Sequence, residues 1–251
     1  MHYPATSGRK SRDCGVLKTH PAAHSESVTV VHDSVAVPAA GVVLDADVVV
    51  PDSAQGVVLF AHGSGSSRHS PRNRYVATEL QRAGLATVLA DLLTPEEEQR
   101  DAQTGHLRFN IGLLATRVIA LTDWSRGHDQ IADLRVGLFG ASTGAAAALV
   151  AAAERPDTVA AVVSRGGRPD LAGDYLRAVR QPTLLIVGER DEVVIELNRQ
   201  AMNQLAGESR LEIVPGATHL FAEPGALEQV ARLARDWFVR HLIQPTPNGA
   251  G

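Results

Sequence analysis

The sequence predicts an α/β fold in which eight strands form one mostly parallel sheet with helices on both faces. Two observations carry that expectation. From residue 56 onward, short β-branched apolar runs alternate with segments of helical spacing, and strand–helix–strand alternation closes through right-handed crossovers into a parallel sheet. The later strand candidates are apolar almost without interruption, as strands covered on both faces must be. Composition fits one large domain with a full core: 251 residues, 44% hydrophobic and 21% charged.

Residues 1–25 are polar and basic and lack the apolar core of a secretory signal, so they are expected to form a loose tail ahead of a domain at 26–243. "SVTVVH" (27–32) and "VVLDADVVV" (42–50) alternate in part and lie close together, like an antiparallel edge pair. The remaining strands are expected at 56–62, 85–91, 134–140, 158–164, 182–188 and 210–216, and helices at 71–83, 106–126, 142–154, 192–206 and 225–243. "TPEEEQRDAQTG" (94–105) reads as a charged surface connection, its three glutamates a solvated helix start behind Pro95 rather than a metal site. Only 17 residues (165–181) separate two of the strands, room for a loop and about one helix, so no cap domain is expected there. Residues 244–251 read as a frayed second tail.

A net charge of −4 gives no long-range attraction to nucleic acid or anionic membrane, so neither is expected as a partner. The longest apolar block, around 145–153, is too short to span a bilayer. Cys14 is the single cysteine, which excludes an intrachain disulfide and a cysteine zinc cluster and suits a reducing compartment. A cytoplasmic protein acting on small molecules is the resulting expectation, with monomer and homodimer both open.

In a parallel sheet, ligands meet the loops beyond the carboxyl ends of the strands. "VGLFGASTGAAAALV" (136–150) places Ser142 there, within G-x-S-x-G from Gly140 to Gly144, between a buried strand and a helix. In that setting the motif is a nucleophile elbow: the serine sits on a strained turn, and side chains two residues away on either side would collide with the neighbouring chain. The alternative is a serine capping a tightly packed core helix. Gly137, Gly140 and Gly144 do not make the dinucleotide fingerprint, and no lysine follows to make a P-loop.

A serine hydroxyl needs a base oriented by a third group. "LLIVGERDEVV" offers Asp191 just past one strand, and "IVPGATHLF" offers His219 just past the next. Singly, Asp191 reads as a helix cap and His219 as a solvated loop residue; together, at successive strand ends, Ser142, Asp191 and His219 make a catalytic set in the chain order Ser, Asp, His. Of the carboxylates in "GERDEV", Glu192 is expected to start the next helix, Glu189 to begin the loop, and Asp191 to lie mid-loop with its side chain fixed by the loop's own N–H groups. The oxyanion donors are expected to be the Thr143 and Ser64 N–H groups, with Gly65 as the alternative to Ser64. His62 reads as a support beneath the 63–67 loop rather than a base. Arg68, His69, Arg72 and Arg74 read either as a solvated basic turn or as contacts for an anionic group. Gly65, Arg68 and Arg165 are the candidate substrate-binding residues.

The motifs "HGSGSS", "GASTG", "GERDEVV" and "GATHLF" resemble, in their order across 26–243, the α/β-hydrolase superfamily and within it the dienelactone hydrolase family. That resemblance implies the α/β-hydrolase fold without a cap and a cofactor-free, metal-free hydrolase of small esters or lactones. A perhydrolase or acyltransferase using the same triad, and a binding module without turnover, are the alternatives. One departure stands out: dienelactone hydrolases proper use a cysteine nucleophile, and this chain has Ser142. "HGSGSSRHSPRNRYVA" is similar to bacterial relatives in which such a domain is sometimes fused to a phosphoribosyltransferase domain.

Overall fold

The computed structural model describes residues 30–52 and 54–243. The tails expected at 1–25 and 244–251, Cys14 and the start of the first expected strand lie outside the described residues. The elements run β1 (Val30–Ala39), β2 (Val42–Pro51), β3 (Gly56–Ala61), α1 (Pro71–Arg82), β4 (Leu85–Ala90), α2 (Pro95–Thr104), α3 (Ile111–Ser125), β5 (Arg135–Ala141), α4 (Thr143–Glu154), β6 (Val159–Arg165), β7 (Thr183–Gly188), α5 (Glu192–Met202), β8 (Ser209–Val214) and α6 (Ala226–Leu242). They build one eight-stranded sheet of order β1-β2-β4-β3-β5-β6-β7-β8. β1–β2 and β2–β4 pair antiparallel, and the other pairs are parallel.

Every residue of β3, β4 and β7 is buried, which accounts for their unbroken apolar runs. Neighbouring residues on one strand feed opposite faces. Leu59 and Leu138 pack with Leu114, Val118 and Leu121 of α3 and Leu149 of α4, while Phe60 and Phe139 pack with Val76 and Leu80 of α1 and Val230 and Phe238 of α6. Each such side chain contributes about 1.5–3 kcal/mol on full burial. The alanine block of α4 is buried on all sides, and its small side chains let the helix lie against both the sheet and α3.

Three boundaries differ from the sequence expectation. β1 runs to Ala39 rather than ending near 32, because it continues along β2 to a two-residue turn at Ala40 (φ 49°) and Gly41 (φ 85°). Two positive φ values are what a tight hairpin needs, and Ala40 is an uncommon residue for the first of them. The stretch read as a surface connection is the helix α2, closed by a capping box in which Thr94 and Glu97 satisfy each other's backbone N–H groups. Consequently α3 starts at Ile111, after a 3-10 turn at Leu107–Phe109, with Asn110 as its N-cap. Between β6 and β7 there is only a 3-10 segment, Pro169–Ala178, kinked at Gly173, so that connection holds no inserted lid. Among the described residues no helix is long and apolar enough to cross a membrane.

Candidate active site

β5 delivers Ser142 into a conformation that L-residues avoid, φ 52° and ψ −120°. Holding it there costs on the order of 1–3 kcal/mol, and three backbone hydrogen bonds offset that cost. Ser142 N–H donates to the Arg165 carbonyl (3.2 Å), and the Ser142 carbonyl accepts from Ala145 and Arg168 N–H (both 3.1 Å). The flanking glycines are obligatory on steric grounds: a Cβ at Gly140 would lie 2.4 Å from Ala145 Cα, and one at Gly144 would lie 2.2 Å from the Ala61 carbonyl oxygen. The Ser142 side chain does not cap α4, so the hydroxyl is not spent on the helix.

The loops after β7 and β8 bring Asp191 and His219 together. Asp191 Oδ2 lies 2.6 Å from His219 Nδ1. A carboxylate accepts only, so Nδ1 carries the proton and, in the neutral ring, Nε2 keeps a free lone pair. Asp191 is the N-cap residue of α5 by its backbone, not a mid-loop residue as its sequence position suggests. Its side chain makes no cap bond, and no loop N–H fixes it; the imidazole is its partner. Glu189 is engaged elsewhere, accepting from Gly216 N–H at 2.7 Å, and Glu192 opens α5. The His219 loop is held by Thr218 N–H donating to Glu223 (3.1 Å) and by Phe221, buried with φ 54°. Nothing in the sequence marks Phe221 for this role, since a phenylalanine is a rare choice for positive φ.

Ser142 and His219 line one cavity of about 210 Å³, together with Ser64, Ser66, Arg72 and Arg165. No direct hydrogen bond joins the serine hydroxyl to the imidazole in this structure; such contacts commonly tighten only when substrate binds. Thr143 is the first residue of α4, where its backbone N–H has no intrahelical acceptor. Ser64 N–H donates to Thr143 Oγ1 at 3.1 Å, so the two expected oxyanion donors are neighbours, and the second is held by the side chain of the first.

His62 supports the loop. Its Nε2 accepts from Leu92 N–H (2.9 Å) and its Nδ1 faces the Gly63 carbonyl (3.0 Å), so both ring nitrogens are occupied. Burial holds its pKa below the ordinary 6.5.

Two substrate-binding candidates do not reach this cavity. Arg68 turns away to Asp91, which accepts from both its backbone N–H (2.7 Å) and its guanidinium, with Asp45 and Asp47 close by. Opposite charge across the β2 and β4 strand ends outcompetes the site. Gly65, at φ 67°, lines an adjoining cavity of about 300 Å³ that shares Gly63, Ser64 and Ser66 with the first and is bounded by Leu93, Glu98, Asp101 and Arg108. His69 and Arg74 bond to each other (3.0 Å) and sit with Asp47 over a third cavity. Arg165 does line the Ser142 cavity, and so does Arg72, which the sequence left undistinguished among the basic residues of its turn.

A family model described as the dienelactone hydrolase family matches residues 44–241. Two curated proteins of Mycobacterium tuberculosis, from the CDC 1551 / Oshkosh and H37Rv strains, are each 62% identical over 200 residues, 80% of this chain and 44% of theirs. Both carry the provisional name phosphoribosyl transferase, and this chain spans less than half of their length. The crystal structure of dienelactone hydrolase from Anabaena variabilis superposes with a TM-score of 0.83 at 59% identity, covering 85% of this chain and 99% of that one. Carboxyl esterase 2 from the fungus Tuber melanosporum shares the fold, with a TM-score of 0.68 at 17% identity over 87% of this chain and 89% of its own.

Proposed function

The chain belongs to the dienelactone hydrolase family, with the α/β-hydrolase fold and the hydrolase chemistry of that family, and from this premise we propose that it cleaves a small ester or lactone through an acyl-enzyme on Ser142. The observation that carries the reading is the 2.6 Å pair of Asp191 and His219, in a cavity shared with a serine on a strained elbow.

In this mechanism Ser142 Oγ attacks the carbonyl carbon while His219 Nε2 takes its proton. Asp191 fixes the tautomer that makes Nε2 the acceptor and stabilises the imidazolium that forms. The carbonyl oxygen becomes an oxyanion held by the Thr143 N–H and by the Ser64 N–H, which the oxyanion shares with Thr143 Oγ1. His219 then protonates the departing alkoxide. Water, deprotonated by the same imidazole, attacks the acyl carbon and releases the acid and the free serine. No step calls on a metal or an organic cofactor.

The transferase name is said of proteins more than twice the span matched here, and the proposal rests on the Ser142 site instead. A perhydrolase or an acyltransferase differs only in the acceptor that attacks the acyl-enzyme. The test is turnover of the purified protein on a panel of esters, lactones and thioesters, with product analysis in the presence of peroxide and of alcohol. Hydrolysis of esters or lactones, with the free acid as main product, supports the reading. Peracid or transester as main product replaces hydrolase by acyl transfer to that acceptor.

A further inference from the structure

Arg165 stands at the carboxyl end of β6, with its carbonyl bonded to Ser142 N–H. Its side chain is buried, the residue being 8% exposed, yet Nε and Nη1 have no hydrogen-bond partner. Among the described residues Arg117 is buried as well and, although its Nε too is unpaired, its guanidinium reaches Glu97 (2.9 Å) and the Ala39 carbonyl. An unpaired buried charge is strongly unfavourable, so Arg165 is a cation without its counter-ion. Burial, then the charge of Arg72, pushes its pKa down to about 10.

Arg72 repeats the anomaly. It lies in the first turn of α1, where the helix dipole disfavours a cation; its Nε is buried without a partner, as that of Arg68 is, but no carboxylate among the described residues pairs with its guanidinium. Arg68 and Arg74, on either side of it in sequence, both pair with aspartates; Arg72 does not. Arg165 and Arg72 both line the Ser142 cavity, along with Ser64 and Ser66. Among the described residues no carboxylate lines it.

We propose that Arg165 and Arg72 form a subsite for a phosphoryl group carried by the ester substrate, beside the Ser142 hydroxyl. The inference rests on the reading of Ser142 as nucleophile. Charge balance selects the phosphoryl group. A phosphate monoester carries close to two negative charges at neutral pH and three acceptor oxygens, matching two guanidinium forks, whereas a single carboxylate leaves one positive charge uncompensated. The enzyme is then selective for short phosphorylated esters, since about 210 Å³ holds a phosphoryl group and little more beside the reacting carbonyl.

Calorimetric titration of the intact protein with inorganic phosphate and with acetate, at matched ionic strength and pH 7.5, tests the subsite without turnover. Phosphate is expected to bind at least about tenfold more tightly than acetate, and Arg72→Gln to weaken phosphate at least about tenfold. Arg74→Gln, the same charge change outside the cavity, is expected to leave phosphate affinity unchanged. Bound phosphate should also slow fluorophosphonate labelling of Ser142. Arg72→Gln alters a half-buried residue and leaves β6 intact; Arg165→Gln follows as the second variant. Equal affinity for phosphate and acetate, or equal weakening by Arg72→Gln and Arg74→Gln, overturns the proposal. Turnover of neutral esters without phosphate binding removes the subsite alone. Phosphate binding to a protein that neither labels at Ser142 nor hydrolyses any ester keeps the subsite and removes the nucleophile.

Discussion

Asp191→Asn replaces the carboxylate by an amide of the same shape, and the structure sets what that does. Among the described residues the only side-chain partner of Asp191 is His219 Nδ1, at 2.6 Å, and the side chain does not cap α5, so stability should change by less than about 1 kcal/mol. An amide can offer its NH₂ group to Nδ1, which then keeps its lone pair and moves the ring proton to Nε2, the wrong atom for a base. In the serine-protease template that substitution lowers turnover about 10⁴-fold, equivalent to ~5 kcal/mol. Here the His219 side chain is 39% exposed, so water can accept from Nδ1–H and restore part of the productive tautomer. A loss on the order of 10²- to 10⁴-fold in kcat is expected, measured on a short-chain chromogenic ester, with KM little changed. Glu189→Gln keeps an acceptor for Gly216 N–H, and Glu192→Gln alters only the first turn of α5; each should cost under about tenfold. A loss under tenfold for Asp191→Asn, or a larger one for either glutamine variant, would refute the assignment of the acid.

Gly144→Ala drives a Cβ to 2.2 Å from the Ala61 carbonyl oxygen and 2.4 Å from that of His62, and should destabilise by at least about 3 kcal/mol in urea unfolding; an unchanged midpoint contradicts the packing of the elbow. Burial lowers the pKa of His62 in the folded protein below the ordinary 6.5. The unfolded ring gains a proton as pH falls through 6.5, so this contribution is intact above pH 6.5 and lost below it. His62→Gln should therefore show a smaller loss of stability than the wild type between pH 7.5 and 5.5, and an identical loss contradicts the lowered pKa. With a cavity of about 210 Å³ and no lid between β6 and β7, kcat/KM should fall with acyl length across a nitrophenyl ester series, and a maximum at long chains contradicts the shape read for the site.

The sheet was legible because its strands announce themselves locally: runs such as "GVVLFA" and "TLLIVG" are buried throughout. The elbow was legible for the same reason, since the steric demands on Gly140 and Gly144 come from residues close in the fold to a recognisable turn. Features decided by distant contacts were not. Ala40 hides the β1–β2 turn, because alanine does not advertise positive φ. The capping role of Asp191's backbone and the pairing of its side chain are separate facts, and only the second depends on a loop 28 residues away. The basic turn is the clearest case. Arg68, Arg72 and Arg74 look alike in sequence, and the carboxylates of Asp45, Asp47 and Asp91, brought up by β2 and β4, decide which of them turns away from Ser142.

The role proposed for Ser142 is that of a nucleophile activated through His219. Its most direct measurement is intact-mass analysis with peptide mapping after treatment with a fluorophosphonate, on the wild type, Ser142→Ala and His219→Gln. One phosphonyl group per chain is expected, located on Ser142. No adduct should form on Ser142→Ala, whose ester turnover falls at least ~10³-fold, and His219→Gln should react far more slowly. An adduct on another serine, or Ser142→Ala retaining most of the ester turnover, would contradict it.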